Sequence, residues 1–282
     1  MPKILITGSK GQLGFELIKQ LSCLSETQII ETDLHNLDIT NQRQVNDLVI
    51  EKEPEIIINC AAYTNVDKCE IDEKTAFQVN AIGARKLSVA AYNIGAKIVQ
   101  ISTDYVFDGS GATPKREYDP INPQTVYGKS KALGEKLVRE TNPRHFILRT
   151  AWLYGEGHNF VRTMLKLGQE KGKVSVVNDQ IGSPTSTKDL AKCIINLMET
   201  ESYGNYHATC KGSCSWYEFA KKIFEIKGLG VRVNPITTEE LNRPAIRPKC
   251  SVLENFMLEL MGLNEFRNWE EALRDYLAGS TT

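Results

Sequence analysis

Short apolar runs alternate with amphipathic stretches along the first 150 residues. Ile4-Leu5-Ile6-Thr7 is an apolar run ended by Gly8, the pattern of a strand buried on both faces. From Gly11 to Leu21 the apolar positions Leu13, Leu17, Ile18 and Leu21 fall at helical spacing. A strand is predicted over Gln28–Thr32, followed by a helix capped at Thr40 or Asn41 and running to about Lys52. Glu55–Asn59 and Lys97–Ser102 read as strands, with helix between about Asp72 and Ile94. Val126–Glu140 is a helix carrying Ala132, Leu133, Leu137 and Val138 on one side, and Phe146-Ile147-Leu148 gives a further strand. Regular alternation of strand and helix specifies a parallel sheet covered on both faces, an α/β doubly wound fold of Rossmann type.

After Thr150 the alternation loosens. Helices are predicted at Phe160–Gln169, Lys188–Glu199 and Trp216–Ile226, with short strands at Val174–Val177 and Asn205–His207. Asn242–Pro248 reads as a proline-containing loop, and Leu253–Met261 and Trp269–Leu277 as closing helices. This pattern divides the chain into a Rossmann domain over residues 1–150 and a small C-terminal lobe over 151–282, some of whose segments return to the sheet.

Composition narrows the function classes. The chain has 282 residues, 41% of them hydrophobic, enough for one sizeable core and a smaller lobe. A formal net charge of −1 offers no basic field for nucleic acid. The seven cysteines are scattered, with no Cys-x-x-Cys, so they read as reduced thiols in a cytoplasmic protein and not as a disulfide framework or metal site. Met1-Pro2-Lys3 leads straight into an apolar strand without the pattern of a signal peptide, and no apolar stretch reaches membrane-spanning length.

The turn Gly8-Ser-Lys-Gly11-Gln-Leu-Gly14 joins the first strand to the first helix. Glycines there let backbone amides approach a pyrophosphate at the helix N-terminus, the arrangement that holds a dinucleotide. Lys10, Gln12 and Leu13 lie within this turn. The spacing is G-x-x-G-x-x-G, a departure from the G-x-G-x-x-G of typical dehydrogenases, and an ordinary strand–helix turn is the plain alternative. Asp33, 19 residues beyond Gly14, stands where a carboxylate accepts hydrogen bonds from the adenosine ribose. A carboxylate there repels an added phosphate, which tilts the cofactor to NADH; Glu31 competes for the role, and the charge of Lys10 keeps NADPH as the alternative. Asp38 and Ile39, after a brief third strand, are candidates to flank the adenine. Ala61, Ala62 and Tyr63 end the strand that begins at Glu55, where small side chains let the backbone pass close to the cofactor.

Tyr127-Gly-Lys-Ser-Lys131 places a phenol and an ammonium four residues apart on one helix face. A lysine near a phenol favours the phenolate, bringing its pKa down from about 10 toward neutrality. Such a tyrosine is matched to proton transfer with an alkoxide formed from a ketone. Tyr-x-x-x-Lys alone is common, and an exposed helix pair is its plain alternative. Context raises its weight, because Ser102-Thr103-Asp104-Tyr105 ends the preceding strand, where ligands of this architecture bind. Thr103 is the candidate hydroxyl beside Tyr127, and Ser102 is the alternative, since adjacent strand residues point to opposite faces.

Assembled, these motifs resemble the extended short-chain dehydrogenase/reductases, and within them the dTDP-4-dehydrorhamnose reductases. The resemblance runs almost end to end, through Thr7–Gly14, Asn59–Asp67, Ser102–Gly109, Pro123–Lys131, Arg149–Gly155, Asn159–Val161 and Arg247-Pro248. It implies a catalytic trio of Thr103, Tyr127 and Lys131, sugar-binding residues Asp104, Tyr105 and Trp152, and Arg247 near a nucleotide diphosphate. Asn80 resembles a family asparagine that supports the active-site helix. The implied reaction is reduction of the C4 ketone of dTDP-4-dehydro-L-rhamnose by NADH or NADPH, with Tyr127 giving the proton, in a homodimer. Plain alternatives are a core aromatic for Trp152, a turn residue for Asp104 and loop packing for Tyr105. Two other readings stay open. A nucleotide-sugar dehydratase or epimerase shares fold and Tyr/Lys pair, but dehydratases follow the threonine with Asp-Glu, and here Tyr105 stands in the glutamate's place. A non-catalytic member, similar to the regulatory subunit of methionine adenosyltransferase, would need no proton donor; retention of Thr103, Tyr127 and Lys131 weighs against it.

Overall fold

The computed structural model describes residues 2–24 and 27–279. The N-terminal part runs β1 (Lys3–Thr7), α1 (Gln12–Leu21), β2 (Gln28–Thr32), α2 (Gln42–Lys52), β3 (Ile56–Asn59), α3 (Val66–Ile71), α4 (Glu73–Phe77), α5 (Ala84–Asn93), β4 (Lys97–Thr103), α6 (Val126–Thr141) and β5 (His145–Thr150). Asn41 caps α2 by accepting from the amides of Arg43 and Gln44, which settles the choice between Thr40 and Asn41.

The main sheet is wholly parallel, in the order 2-1-3-4-5-10. Period-two alternation explains its two covers. Ile4, Ile6, Ile58 and Val99 pack on one face, with α1 and the C-terminal helices. Leu5, Ile57 and Ile98 point the other way, against α2 and α5. Chain order reverses between β1 and β3, so the loops after these strands diverge and leave a crevice at their carboxyl ends.

The remaining elements are β6 (Leu153–Tyr154), α7 (Phe160–Lys171), β7 (Lys173–Val177), β8 (Ile181–Gly182), β9 (Thr185–Ser186), α8 (Thr187–Met198), β10 (Gly204–His207), β11 (Cys214–Ser215), α9 (Trp216–Ile226), β12 (Arg232–Ile236), α10 (Thr238–Leu241), α11 (Phe256–Leu260) and α12 (Trp269–Gly279). β10 completes the main sheet beside β5, and α8 packs on α1. β7 pairs with β12, β6 with β9 and β8 with β11, building a rim above the strand ends.

Several elements differ from the sequence pattern. The expected helix over Asp72–Ile94 is α4, a π-helical turn at Gln78–Gly83 and α5, in one continuous path. Gln78–Gly83 widens where Asn80 turns inward to bond other segments. The third strand expected before Asp38 is not formed; residues 34–37 make a turn closed by Asn36 and Leu37 amides donating to Asp33 O. Leu253 sits in a bridge to Lys115, so the helix expected from it begins only at Phe256. β12 was not expected, because Pro235 and isolated charges disguise an edge strand. Among the described residues no helix is long and apolar enough to cross a membrane.

Candidate active site

A cleft of about 1510 Å³ opens over the carboxyl ends of β1, β3 and β4. Its floor begins at the glycine turn. Gly8 has φ +65°, and a Cβ there would stand 2.8 Å from the Ala61 amide nitrogen. A Cβ on Gly14 would stand 2.3 Å from the Gly8 carbonyl oxygen. Both contacts are with backbone, so only glycine lets β1, α1 and the chain after β3 close together. No side chain caps the first turn of α1. The result is a cradle of backbone at a helix N-terminus, and it fits a dinucleotide pyrophosphate.

Lys10, Gly11, Gln12 and Leu13 line the cleft. Leu13 does so by its backbone edge while its side chain joins the core, and Gln12 Oε1 accepts the Gly155 amide at 2.9 Å, tying the turn to the rim. Asp33 also lines the cleft, its carboxylate accepting the amides of Lys10 at 3.1 Å and Leu34 at 2.8 Å. Asp38 takes both the amide and the hydroxyl of Thr40, and Ile39 is buried against Gly83; both still border the cleft. Ala61, Ala62 and Tyr63 form the wall after β3. Asn80 holds that wall, accepting the Tyr63 amide at 2.8 Å and donating to Tyr63 O and Ser130 Oγ. It thereby ties the β3 loop to α6.

At the inner end lie Thr103, Tyr127 and Lys131. Thr125 caps α6 through the Gly128 amide and sets Tyr127 on the first turn. Thr103, the last residue of β4, donates to Asp104 Oδ1 at 2.8 Å and accepts the Tyr105 amide at 3.3 Å. The neighbouring hydroxyl, Ser102, instead turns to Glu135. Tyr105 packs edge-on against Tyr127, with ring centroids 5.5 Å apart.

The expected electrostatic coupling takes a different form. Lys131 Nζ donates to the Ile101 carbonyl at 2.6 Å. Helix spacing places the two side chains on one face, but the ammonium reaches along β4 to that carbonyl. Burial therefore dominates both groups. It pushes the Tyr127 phenol above its ordinary value, a hydrogen bond with Thr103 acting against it and the Asp104 charge adding to it. Burial brings Lys131 down to about 8, opposed by Glu135 and Cys60. The pair thus holds a neutral phenol, the protonation state that reduction of a ketone requires. Burial likewise raises Asp104 to about 6, opposed by hydrogen bonding with Thr103 and Ser251, and Asp104 Oδ2 has no hydrogen-bond partner among the described residues.

Trp152 and Arg247 also line the cleft. Trp152 adopts φ +47° and stacks on Trp216, with centroids 3.5 Å apart and planes 9° from parallel. Gly182 leaves room for it, since a Cβ there would meet Trp152 Cε2 at 2.4 Å. Arg247 Nη2 donates to Asp67 Oδ2 at 2.9 Å.

Sequence reasoning missed Trp216, which lines the cleft, and a buried ion pair that does not line it. Trp216 follows an N-cap serine and carries no motif of its own. Glu135 and Arg149 form a bidentate buried pair at 2.9 and 2.8 Å, directly behind Ser102 and one turn beyond Lys131. Their signal was the spacing of Glu135 four residues from Lys131, which points at the same helix face.

A parallel sheet with its crevice at the β1/β3 reversal, a strand-end threonine and a helix-borne Tyr/Lys pair define the short-chain dehydrogenase/reductase class. The chain belongs to the RmlD substrate binding domain family, which it matches over residues 2–282. It is 47% identical over 278 residues to the spore coat polysaccharide biosynthesis protein SpsK of Bacillus subtilis (strain 168), covering 98% of this chain and 97% of that one. A crystal structure of a dTDP-4-dehydrorhamnose reductase from Clostridium acetobutylicum is 53% identical, with a TM-score of 0.96 and 98% of each chain covered. Another, of dTDP-4-dehydrorhamnose reductase from Bacillus anthracis in complex with NADP, is 46% identical, with a TM-score of 0.97, covering 99% of this chain and 100% of that one.

Proposed function

We propose that this protein reduces the C4 ketone of dTDP-4-dehydro-L-rhamnose to dTDP-L-rhamnose, with Tyr127 as the proton donor. The observation that carries the reading is the meeting of Thr103, Tyr127 and Lys131 at the inner end of the cleft whose outer floor is the glycine turn. Family membership and the names of the relatives supply the sugar.

Residues 1–150 act as the NAD(P)-binding Rossmann domain and 151–282 mainly as the substrate lobe, with α8 and β10 returning to the sheet. The amides of the Gly8–Gly14 turn would hold the pyrophosphate, and Ala61, Ala62 and Tyr63 the phosphoribose portion. Asp33, with Asp38 and Ile39 nearby, would take the adenosine end. When bound, the reduced nicotinamide supplies the hydride. Asp33 favours NADH, while the relative solved with NADP and the charge of Lys10 support NADPH as a second substrate.

Tyr127, kept neutral by burial, gives its proton to the ketone oxygen when that oxygen takes a place beside Thr103. Asp104 orients the Thr103 hydroxyl. Lys131, held on the Ile101 carbonyl, contributes its charge and a donor for the nicotinamide ribose. Tyr105 and Trp152 pack on the sugar, and Arg247 binds the diphosphate. Tyr105 occupies the position of a dehydratase's acidic residue and is packed on Tyr127, which supports simple reduction over dehydration.

The test follows NADH and NADPH absorbance with dTDP-4-dehydrorhamnose, for wild type and Tyr127→Phe. Wild type should consume cofactor and the variant should lose nearly all activity while still binding dinucleotide. Equal rates would remove Tyr127 from the mechanism; turnover only with a different nucleotide sugar would overturn the substrate.

A further inference from the structure

Arg243 and Arg247 converge on one carboxylate, that of Asp67. Asp67 stands in the first turn of α3, whose cap is Asn65. Its Oδ2 is 2.9 Å from Arg247 Nη2 and 3.8 Å from Arg243 Nη1. Its Oδ1 accepts the Ala245 amide at 3.1 Å. The segment carrying both arginines leaves α10 through Asn242, at φ +47°, and is next pinned where Pro248 packs on Gly109. Between these points its polar contacts among the described residues are those with Asp67.

Three observations make this more than a surface ion pair. Asp67, Arg243 and Arg247 all line the cleft, as do Tyr105 and Trp152. Arg247 Nη1 is buried and has no hydrogen-bond partner among the described residues, so the guanidinium carries a donor still to be used. The charges of Arg247 and Asp67 both reach the Tyr105 phenol, which packs on Tyr127.

The charges do not balance. Two guanidinium groups against one carboxylate leave one positive charge over. The diphosphate of a nucleotide sugar carries two negative charges, and phosphate oxygens match the arginine fork in pairs. We propose that Arg243 and Arg247 jointly bind the substrate diphosphate, and that Asp67 is the internal counter-ion displaced when it arrives. This rests on the reading of the substrate as a nucleotide-linked sugar. Asp67 is about one-fifth exposed, so its carboxylate can be rehydrated on release. A monophosphate ester is a poorer match to the two arginines, so Asp67 makes the site selective for diphosphates.

Asp67→Asn separates charge from anchoring, because the amide oxygen still accepts from Ala245. Calorimetric titration of the cofactor-loaded protein uses thymidine diphosphate and thymidine monophosphate as probes, with uridine diphosphate in parallel. Asp67→Asn should tighten thymidine diphosphate by about twofold or more, since a mostly buried pair couples at least as strongly as an exposed one. It should tighten the monophosphate at least as much, narrowing the preference between them. Arg243→Met should weaken the diphosphate by a similar factor, and Arg247→Met by about tenfold, as for a charge-assisted hydrogen bond. Unchanged or weaker diphosphate binding by Asp67→Asn would overturn the counter-ion role, even if the melting temperature falls and the segment has loosened. Wild-type affinity in Arg243→Met would remove Arg243 from the site. Binding is read without turnover, so failure to reduce the dTDP-sugar leaves this measurement intact. Uridine diphosphate binding in place of the thymidine probe would correct only the base.

Discussion

Arg149→Met should be among the most destabilising single changes in the molecule. Arg149 and Glu135 are 3% and 1% exposed in their side chains and joined by two hydrogen bonds of 2.8 and 2.9 Å. Removing the guanidinium leaves the Glu135 carboxylate buried without its bidentate partner, a change that costs about 3–5 kcal/mol. It also removes a cation from 5.1 Å above the Phe107 ring, worth about 1–2 kcal/mol when desolvated. Together, at roughly 2–4 °C per kcal/mol for domains of somewhat smaller size, these should lower the melting temperature by about 8–28 °C. Glu135→Gln/Arg149→Met keeps an acceptor for Ser102 and has no orphaned charge, so it should recover more than half of the loss. Guanidinium denaturation followed by circular dichroism, with the slope unchanged, reads both values. A loss under about 1 kcal/mol for Arg149→Met, or a double variant no more stable than the single, would refute the account of an uncompensated buried charge.

The remaining predictions concern the cleft and its pH dependence. Lys131 is cationic below its pKa of about 8, so its charge is lost as pH rises through that value, and the KM for cofactor should climb above pH 8 in wild type but stay flat in Lys131→Met. His207, brought down to about 3 by burial and Arg149, binds its proton in the unfolded chain first, so it contributes stability that is lost as pH falls from about 6.5. Asp104, raised to about 6, has the opposite sign and stabilises as pH falls from 6 toward 3.8; thermal melts from pH 7 to 4 should flatten in His207→Gln and steepen in Asp104→Asn. Trp216→Ala removes the stack behind Trp152, worth about 0.5–1.5 kcal/mol, so the KM for the sugar substrate should rise roughly two- to tenfold while dinucleotide affinity, read by fluorescence titration, does not change.

What could be read directly from the chain was whatever depends on local order. The runs Ile4–Thr7 and Ile56–Asn59 are apolar at every position up to their last residue because both sheet faces are covered, so strand assignment needed no partner. Gly8, Gly11 and Gly14 announced a close approach of backbone, and Tyr127 with Lys131 a shared helix face. What the chain could not disclose was which distant groups those residues meet. Lys131 spends its hydrogen bond on the Ile101 carbonyl, so the phenol beside it is governed by burial and not by the nearby cation. Asp67, Arg243 and Arg247 are separated by up to 180 positions, and Trp152 and Trp216 belong to different elements. Such encounters cost loop closure that no local propensity records; they are decided by the packing that folds the C-terminal segments over the strand ends. Backbone hydrogen bonding and side-chain period made the sheet legible, while the electrostatics of the cleft arise only when burial strips water from groups the sequence keeps apart.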